Sequence, residues 1–152
     1  MAATSDITIN EKNTYPPLDK TQVDEDGNSQ SDAAQNVAIG DVLNYEVKVT
    51  IPATAKAGDT IIVYDTPSAG LTYNGDIAVK SNEGSATVAA ATGDDVVSDA
   101  AWTWKITVTA DSQGKDVVFA FTMTVNANAL TDGEKENTSG LKYGNEIGRA
   151  HV

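Results

Sequence analysis

Residues 45–51 (YEVKVTI) and 117–125 (VVFAFTMTV) decide the fold class, because large apolar side chains occupy every second position in both stretches. A period of two places one set of side chains on one face of a β-strand, whereas a helix repeats every 3.6 residues. Both stretches are also rich in β-branched and aromatic residues, which favour strands. Further strands fit residues 18–23, 60–65, 102–108 and 137–143. The sequence therefore predicts an all-β chain of antiparallel sheets packed as a sandwich.

The stretch that precedes the predicted strand at residues 102–108 gives the weakest pattern. Residues 82–101 are rich in Ala, Gly, Ser and Asp, so we expect a long excursion with marginal strands. No convincing helix is found, although residues 53–57 and 127–130 could each form a single turn.

Composition excludes several classes of function. The chain has 152 residues and a net charge of −12, so it suits one domain and would repel nucleic acid and anionic lipid. It contains no cysteine, which excludes disulfides, zinc–thiolate sites and thiol nucleophiles. It has no apolar segment long enough to span a membrane, and residues 1–6 (MAATSD) lack the features of a signal peptide. We expect no cofactor and no membrane insertion.

The pattern divides the chain into three parts. Residues 1–17 are interpreted as a linker or the end of a preceding domain, and residues 18–146 as the β-sandwich domain. Residues 147–152 (IGRAHV) contain the only Arg and the only His, and match one reading frame of a common sequencing-adapter oligonucleotide. We therefore predict that these six residues are a non-native tail.

Three blocks together carry a resemblance to a known family. They are residues 37–47 (VAIGDVLNYEV), 63–73 (VYDTPSAGLTY) and 136–139 (ENTS). In this order and spacing they resemble the isopeptide-forming domain of Gram-positive fimbrial proteins, the pilin backbones, across roughly residues 15–145. The resemblance implies an immunoglobulin-like β-sandwich with Greek-key antiparallel sheets, related to the collagen-adhesin type of fold.

The resemblance also implies an internal covalent cross-link. In this family a lysine on the first strand joins an asparagine on the last strand, aided by a buried acid. Matched by position, the lysine is Lys20, the acid is Asp65 and the asparagine is Asn137. One departure from the family pattern is Thr21-Gln22, where the family usually has an apolar residue soon after the lysine.

The proposed chemistry requires these residue types. A lysine attacks an amide only when it is neutral, and burial lowers the pKa of an amine and so supplies the neutral form. Burial also favours the protonated form of an aspartic acid, which can then donate a hydrogen bond to the amide oxygen and relay protons as ammonia leaves. The reaction occurs once within each molecule, because the fold holds the groups together at a high effective concentration. The chain is accordingly expected not to be an enzyme for external substrates.

The family likeness implies partners and a location. Lys12, in residues 7–13 (ITINEKN), lies where pilin backbones carry the lysine that a sortase joins to the next subunit. The Tyr and Pro of that motif are replaced by Asn10 and Glu11, and an exposed linker lysine is the alternative interpretation. The expected partners are other pilin subunits and a sortase, with a host ligand as a further possibility. The expected location is an extracellular, cell-wall-anchored surface structure.

Other interpretations stay open at this point. The chain could be an adhesin domain that binds a host protein or glycan, in which case Tyr15, Tyr73 and Trp102 are the side chains to inspect for exposure. It could also be a plain spacer domain without a cross-link. Residues 24–28 (DEDGN) suggest a calcium loop, but Gly falls at the wrong position and no Glu follows in register, which favours a polar hairpin loop and no metal site.

Overall fold

The described residues contain ten β-strands. The computed structural model describes residues 17–24, 26, 28, 38–129, 137–143 and 146–151, and for residues 137 and 146–151 it describes the backbone. The strands are β1 Leu18–Val23, β2 Val42–Thr50, β3 Thr60–Pro67, β4 Leu71–Tyr73, β5 Ala78–Asn82, β6 Thr87–Ala90, β7 Trp102–Thr107, β8 Asp116–Val125, β9 Asn137–Tyr143 and β10 Glu146–His151. Short 3-10 helices lie at Gly93–Asp95 and Ala110–Ser112.

The strands form two antiparallel sheets. The first, which we call the β8 sheet, has the order β1–β2–β8–β4, with β5 also paired to β8. The second, the β3 sheet, has the order β10–β9–β3–β7–β6. Neighbours such as β2 with β8 and β3 with β9 are distant along the chain, so the connections cross between the sheets. The predicted all-β fold of two packed antiparallel sheets is confirmed.

The core lies between the sheets and explains why the long strands form. β8 alternates buried and half-buried side chains along its whole length, and β2 buries every second side chain from Leu43 to Val49. The central side chains of the core are Tyr45, Val47, Ile61, Val63, Ile106, Phe119, Phe121, Met123 and Leu141. Removing this apolar surface from water is the main stabilising contribution to such a sandwich.

The weakly patterned region 82–101 contains regular structure. β5 ends at Asn82, β6 spans Thr87–Ala90, and the following segment carries the 3-10 helix Gly93–Asp95. This segment returns to β7, where Ala91 N–H donates to the Thr103 carbonyl and Val97 N–H donates to the Thr103 hydroxyl. The excursion expected over residues 82–101 therefore contains an edge strand and a turn tied to the β3 sheet.

The end of the described chain pairs with the β3 sheet. β10 runs antiparallel to β9 over Glu146–His151. The boundaries that the sequence suggested at residues 17 and 146, and the non-native origin of residues 147–152, stay predictions. Within the described ranges, no helix has the length and apolar character needed to cross a membrane.

Candidate cross-linking site

Three strands bring the candidate site together. β1 lies at the edge of the β8 sheet and approaches β9 and β10 at the edge of the β3 sheet. β3 lies between β7 and β9, and its Asp65 is paired with Trp102 on one side and Ser139 on the other. Lys20 is paired with Val47 of β2, whose side chain faces the core. The first and last strands of the predicted domain therefore meet where the two sheets close on each other.

Lys20 and Asp65 form a buried ion pair. The Lys20 Nζ lies 2.5 Å from Oδ1 of Asp65, and both side chains have 0% exposure. Charged residues are rarely buried to this extent, because removing two charges from water costs several kcal/mol per ion before their attraction offsets it. The structure thus brings together two of the three residues that the resemblance implied.

Aromatic rings surround the Lys20 amine. Its Nζ lies 4.9 Å from the centre of the Tyr45 ring and 5.4 Å from that of Phe121, and these two rings stack on each other. Burial lowers the pKa of Lys20 to about 8, although the charge of Asp65 and its hydrogen bond act in the opposite direction. Burial, together with the nearby charge of Asp65, raises the pKa of Tyr45. A substantial fraction of Lys20 is therefore neutral at mildly alkaline pH.

Ser139 is a member of the site that the sequence reasoning missed. It is fully buried, and its hydroxyl donates to Oδ1 of Asp65 at 2.6 Å, the same oxygen that Lys20 contacts. No motif marks a serine in a strand as functional. Ser139 is recognised only from the register of β3 and β9, which pairs it with Asp65.

The structure describes the backbone position of Asn137. It is the first residue of β9, where it pairs with Pro67, and it precedes Ser139 by two positions. Its role as the partner of Lys20 stays a prediction. Lys12 and Tyr15 lie outside the described residues, and so does part of the segment 24–28.

The remaining candidate residues lie in the core or make local hydrogen bonds. Trp102 is a core residue with 5% exposure, and its indole N–H has no hydrogen-bond partner among the described residues. The Tyr73 hydroxyl accepts a hydrogen bond from the Ile77 N–H. Asp24 accepts the N–H groups of Asp26 and Asn28, as in a polar turn. Within the described part of the chain, no group of three or more His, Cys, Asp or Glu could hold a metal ion.

Comparison with solved structures identifies the fold. The pilus backbone protein RrgB of Streptococcus pneumoniae matches 86% of this chain with 22% identity and a TM-score of 0.56. BcpA, the major pilin subunit of Bacillus cereus, matches 90% with 21% identity and a TM-score of 0.61 in a D312A variant structure. The T6 backbone pilin of Streptococcus pyogenes matches 90% with 15% identity and a TM-score of 0.57.

The fold is that of these pilin domains. The predicted immunoglobulin-like sandwich is thereby confirmed, and the chain corresponds to 31% of that RrgB chain, 38% of that BcpA chain and 34% of that T6 chain. No protein-family model matches the sequence. A search of curated proteins finds no match either.

Proposed function

We propose that this chain is a structural module of a sortase-assembled surface pilus or adhesin, stabilised by an isopeptide bond that Lys20 and Asn137 form under the influence of Asp65. The buried Lys20–Asp65 pair carries the proposal, because a fold has no structural need to bury an ion pair in an aromatic pocket. The pilin-domain fold supports the same role. The module acts outside the cell, with other pilin subunits and a sortase as its partners.

The strand geometry supports Asn137 as the acceptor. Residues two apart in a strand share a face of the sheet, and Ser139, two positions after Asn137, contacts Asp65. β1 also approaches β9, the strand next to the β10 edge of the β3 sheet, so Lys20 and Asn137 belong to strands that come close where the two sheets meet. This placement favours a bond that joins the β8 sheet to the β3 sheet.

The reaction balances within these three residues. The Lys20 ammonium passes one proton to the Asp65 carboxylate, and the neutral amine attacks Cγ of the Asn137 amide while the Asp65 acid donates to the amide oxygen. A new N–C bond forms, and the amine gives a second proton to the departing nitrogen through Asp65. The old C–N bond then breaks, ammonia leaves and takes up the remaining proton as ammonium, and Asp65 returns to its carboxylate form. The chain reacts once and turns over no external substrate.

The alternative functions have less support. An adhesin domain would present aromatic side chains for a host ligand, yet Trp102 is buried in the core and Tyr73 packs against it. A spacer without a cross-link is expected to have Lys20, Asp65 and Asn137 far apart or exposed, whereas Lys20 and Asp65 are in contact and buried. The possible use of Lys12 by a sortase depends on the family resemblance alone.

The intact mass of the purified chain tests the proposal. We expect the wild-type mass to be lower than the sequence mass by one ammonia, and Asp65→Ala to restore the full sequence mass. Asp116→Ala is the matched control, because Asp116 binds the Thr50 hydroxyl away from Lys20 and should leave the loss of ammonia unchanged.

Peptide mapping must accompany the mass. A succinimide at Asn74-Gly75 would also release one ammonia, so the fragments must show Lys20 and Asn137 covalently joined. Recovery of Lys20 and Asn137 in separate unmodified peptides would overturn the cross-link and leave a plain spacer or a binding module.

A further inference from the structure

Ser139 lies directly opposite Asp65 on the neighbouring strand, at the centre of the candidate site. We propose that Ser139 is a positioning residue for the cross-link, whose hydroxyl keeps Oδ1 of Asp65 as an acceptor so that the acid proton rests on Oδ2 when Asp65 is protonated. This inference rests on the proposed function, because it concerns the same reaction.

Two donors meet at Oδ1 of Asp65. The Ser139 hydroxyl donates to Oδ1 of Asp65 at 2.6 Å, and the Lys20 Nζ reaches the same atom at 2.5 Å. A serine hydroxyl has a single proton to donate. The pairing of β3 with β9 fixes the Cα positions of Ser139 and Asp65, so the hydroxyl restricts rotation of the carboxyl group.

The position of the acid proton follows from this contact. If the proton rested on Oδ1, that oxygen would become a donor facing the Ser139 hydroxyl, and the hydrogen bond between the two groups would be lost or reversed. With the proton on Oδ2, Oδ1 is a carbonyl oxygen that still accepts from Ser139. Ser139 therefore directs the acidic O–H of Asp65 away from itself and makes it available to the amide of Asn137.

The burial of Ser139 supports a role beyond filling space. Ser139 has 0% exposure, and the next side chain on the same face of β9 is the core residue Leu141. A buried hydroxyl is costly unless it is hydrogen-bonded. Alanine would suit this apolar face without that requirement, so the use of the hydroxyl lies in its contact with Asp65.

The rate of ammonia loss tests this inference. The full 152-residue chain is synthesised in a cell-free system, translation is stopped, and samples are quenched with acid at intervals for intact-mass analysis at several pH values. We expect Ser139→Ala and the near-isosteric Ser139→Cys to react roughly 10- to 100-fold more slowly, the range that loss of a hydrogen bond to a charged group gives. Ser139→Thr keeps the hydroxyl and should stay within a few-fold of the wild type.

The pH dependence separates positioning from simple stabilisation. A donor to the charged form of a carboxyl favours that form, so Ser139→Ala should raise the pKa of Asp65 and move the acid limb of the pH–rate profile to higher pH. Ser112→Ala is the matched control, because Ser112 is equally buried but its hydroxyl is bonded to Thr109. We expect it to react at the wild-type rate with an unchanged profile.

The outcomes distinguish this inference from the proposed function. A wild-type chain that loses ammonia while Ser139→Ala matches it in rate and pH profile would overturn the role of Ser139 alone. Equal slowing by Ser139→Ala and Ser112→Ala would also overturn it, since the effect would then follow stability. Thermal unfolding of both variants in an Asn137→Ala background measures that stability directly. A wild-type chain that keeps its ammonia overturns the cross-link itself.

Discussion

At the scale of single residues, the buried Lys20–Asp65 pair is hard to explain as a means of stabilising the fold. Replacing a buried ion pair by well-packed apolar residues is often neutral or stabilising, whereas removing one partner leaves a buried charge and is strongly destabilising. Both side chains here have 0% exposure. The proposed cross-linking chemistry would account for the pair, because that chemistry requires a neutral amine and a protonated acid in one pocket.

The lowered pKa of Lys20 predicts how the unlinked fold responds to pH. In an Asn137→Ala background, Lys20 is charged in both the folded and unfolded states below pH 8, so the folded state bears the full cost of a buried charge. Between pH 8 and 10.5 the folded state releases a proton that the unfolded state still holds, so stability rises with pH. We expect this contribution of Lys20 to reach at most about 3 kcal/mol.

Denaturant unfolding at several pH values measures this effect. The free energy of unfolding of Asn137→Ala minus that of the same variant with Lys20→Met should increase across that window, and this difference cancels the titration of tyrosines. Lys48→Met is the control, because Lys48 is half-exposed and lies 3.9 Å from an exposed Asp19. A flat difference for Lys20→Met would contradict the lowered pKa.

The residues of the site differ in how far sequence can reveal them. Asp65 could be named because the block 63–73 resembles a family whose chemistry requires a lysine and an acid, and Lys20 because it matches the family's lysine by position. Ser139 could not, since a serine in a strand is compatible with either face and only the register of β9 on β3 places it against Asp65. The lowered pKa of Lys20 likewise depends on tertiary burial and the rings of Tyr45 and Phe121.

At the scale of strands, prediction succeeded where alternation was long. β2 and β8 bury every second side chain along most of their length, so their period was visible. β4 has three residues, and β6 has four, of which only Val88 is half-buried. These short strands form because β4 pairs with β8 and β6 pairs with β7. Their own residues do not reveal these partners, which lie elsewhere in the sequence.

The pairing of β3 with β9 also depends on one glycine. A Cβ placed on Gly140 would lie 2.4 Å from Cζ of Tyr64, the residue paired with it, and the Tyr64 ring is buried. Gly140→Ala should therefore destabilise the protein by about 1–3 kcal/mol through overpacking, although alanine is otherwise less costly than glycine in a strand. Chemical denaturation of the variant measures the effect.

A double-mutant cycle separates this clash from a backbone effect. In a Tyr64→Ala background the added methyl group has room, so Gly140→Ala should then be close to neutral. An equal cost in both backgrounds would show that the Tyr64 ring is not the cause.

At the scale of the whole molecule, the proposed bond joins two sheets. Lys20 belongs to the β8 sheet and Asn137 to the β3 sheet, and each lies in a strand near the edge where the sheets approach. If a cross-link acts like a disulfide on the unfolded chain, closing so long a loop stabilises the fold by roughly 4–5 kcal/mol. Its larger consequence is mechanical, because a chain pulled from its ends is loaded through the first and last strands.

Force spectroscopy on the single domain, held by handles fused to both ends, tests this consequence. In Asn137→Ala, unfolding should release residues 20–137, a gain in contour length on the order of 400 Å at about 3.4 Å per extended residue. In the wild type the bond carries the load between Lys20 and Asn137, so that step should be absent. Asp65→Ala should behave like Asn137→Ala, because both leave Lys20 unlinked. A wild-type domain that extends as far as Asn137→Ala would show that no covalent tie spans the sandwich, and the load would then be resisted by noncovalent contacts such as the hydrogen bonds of β1 with β2 and of β9 with β3.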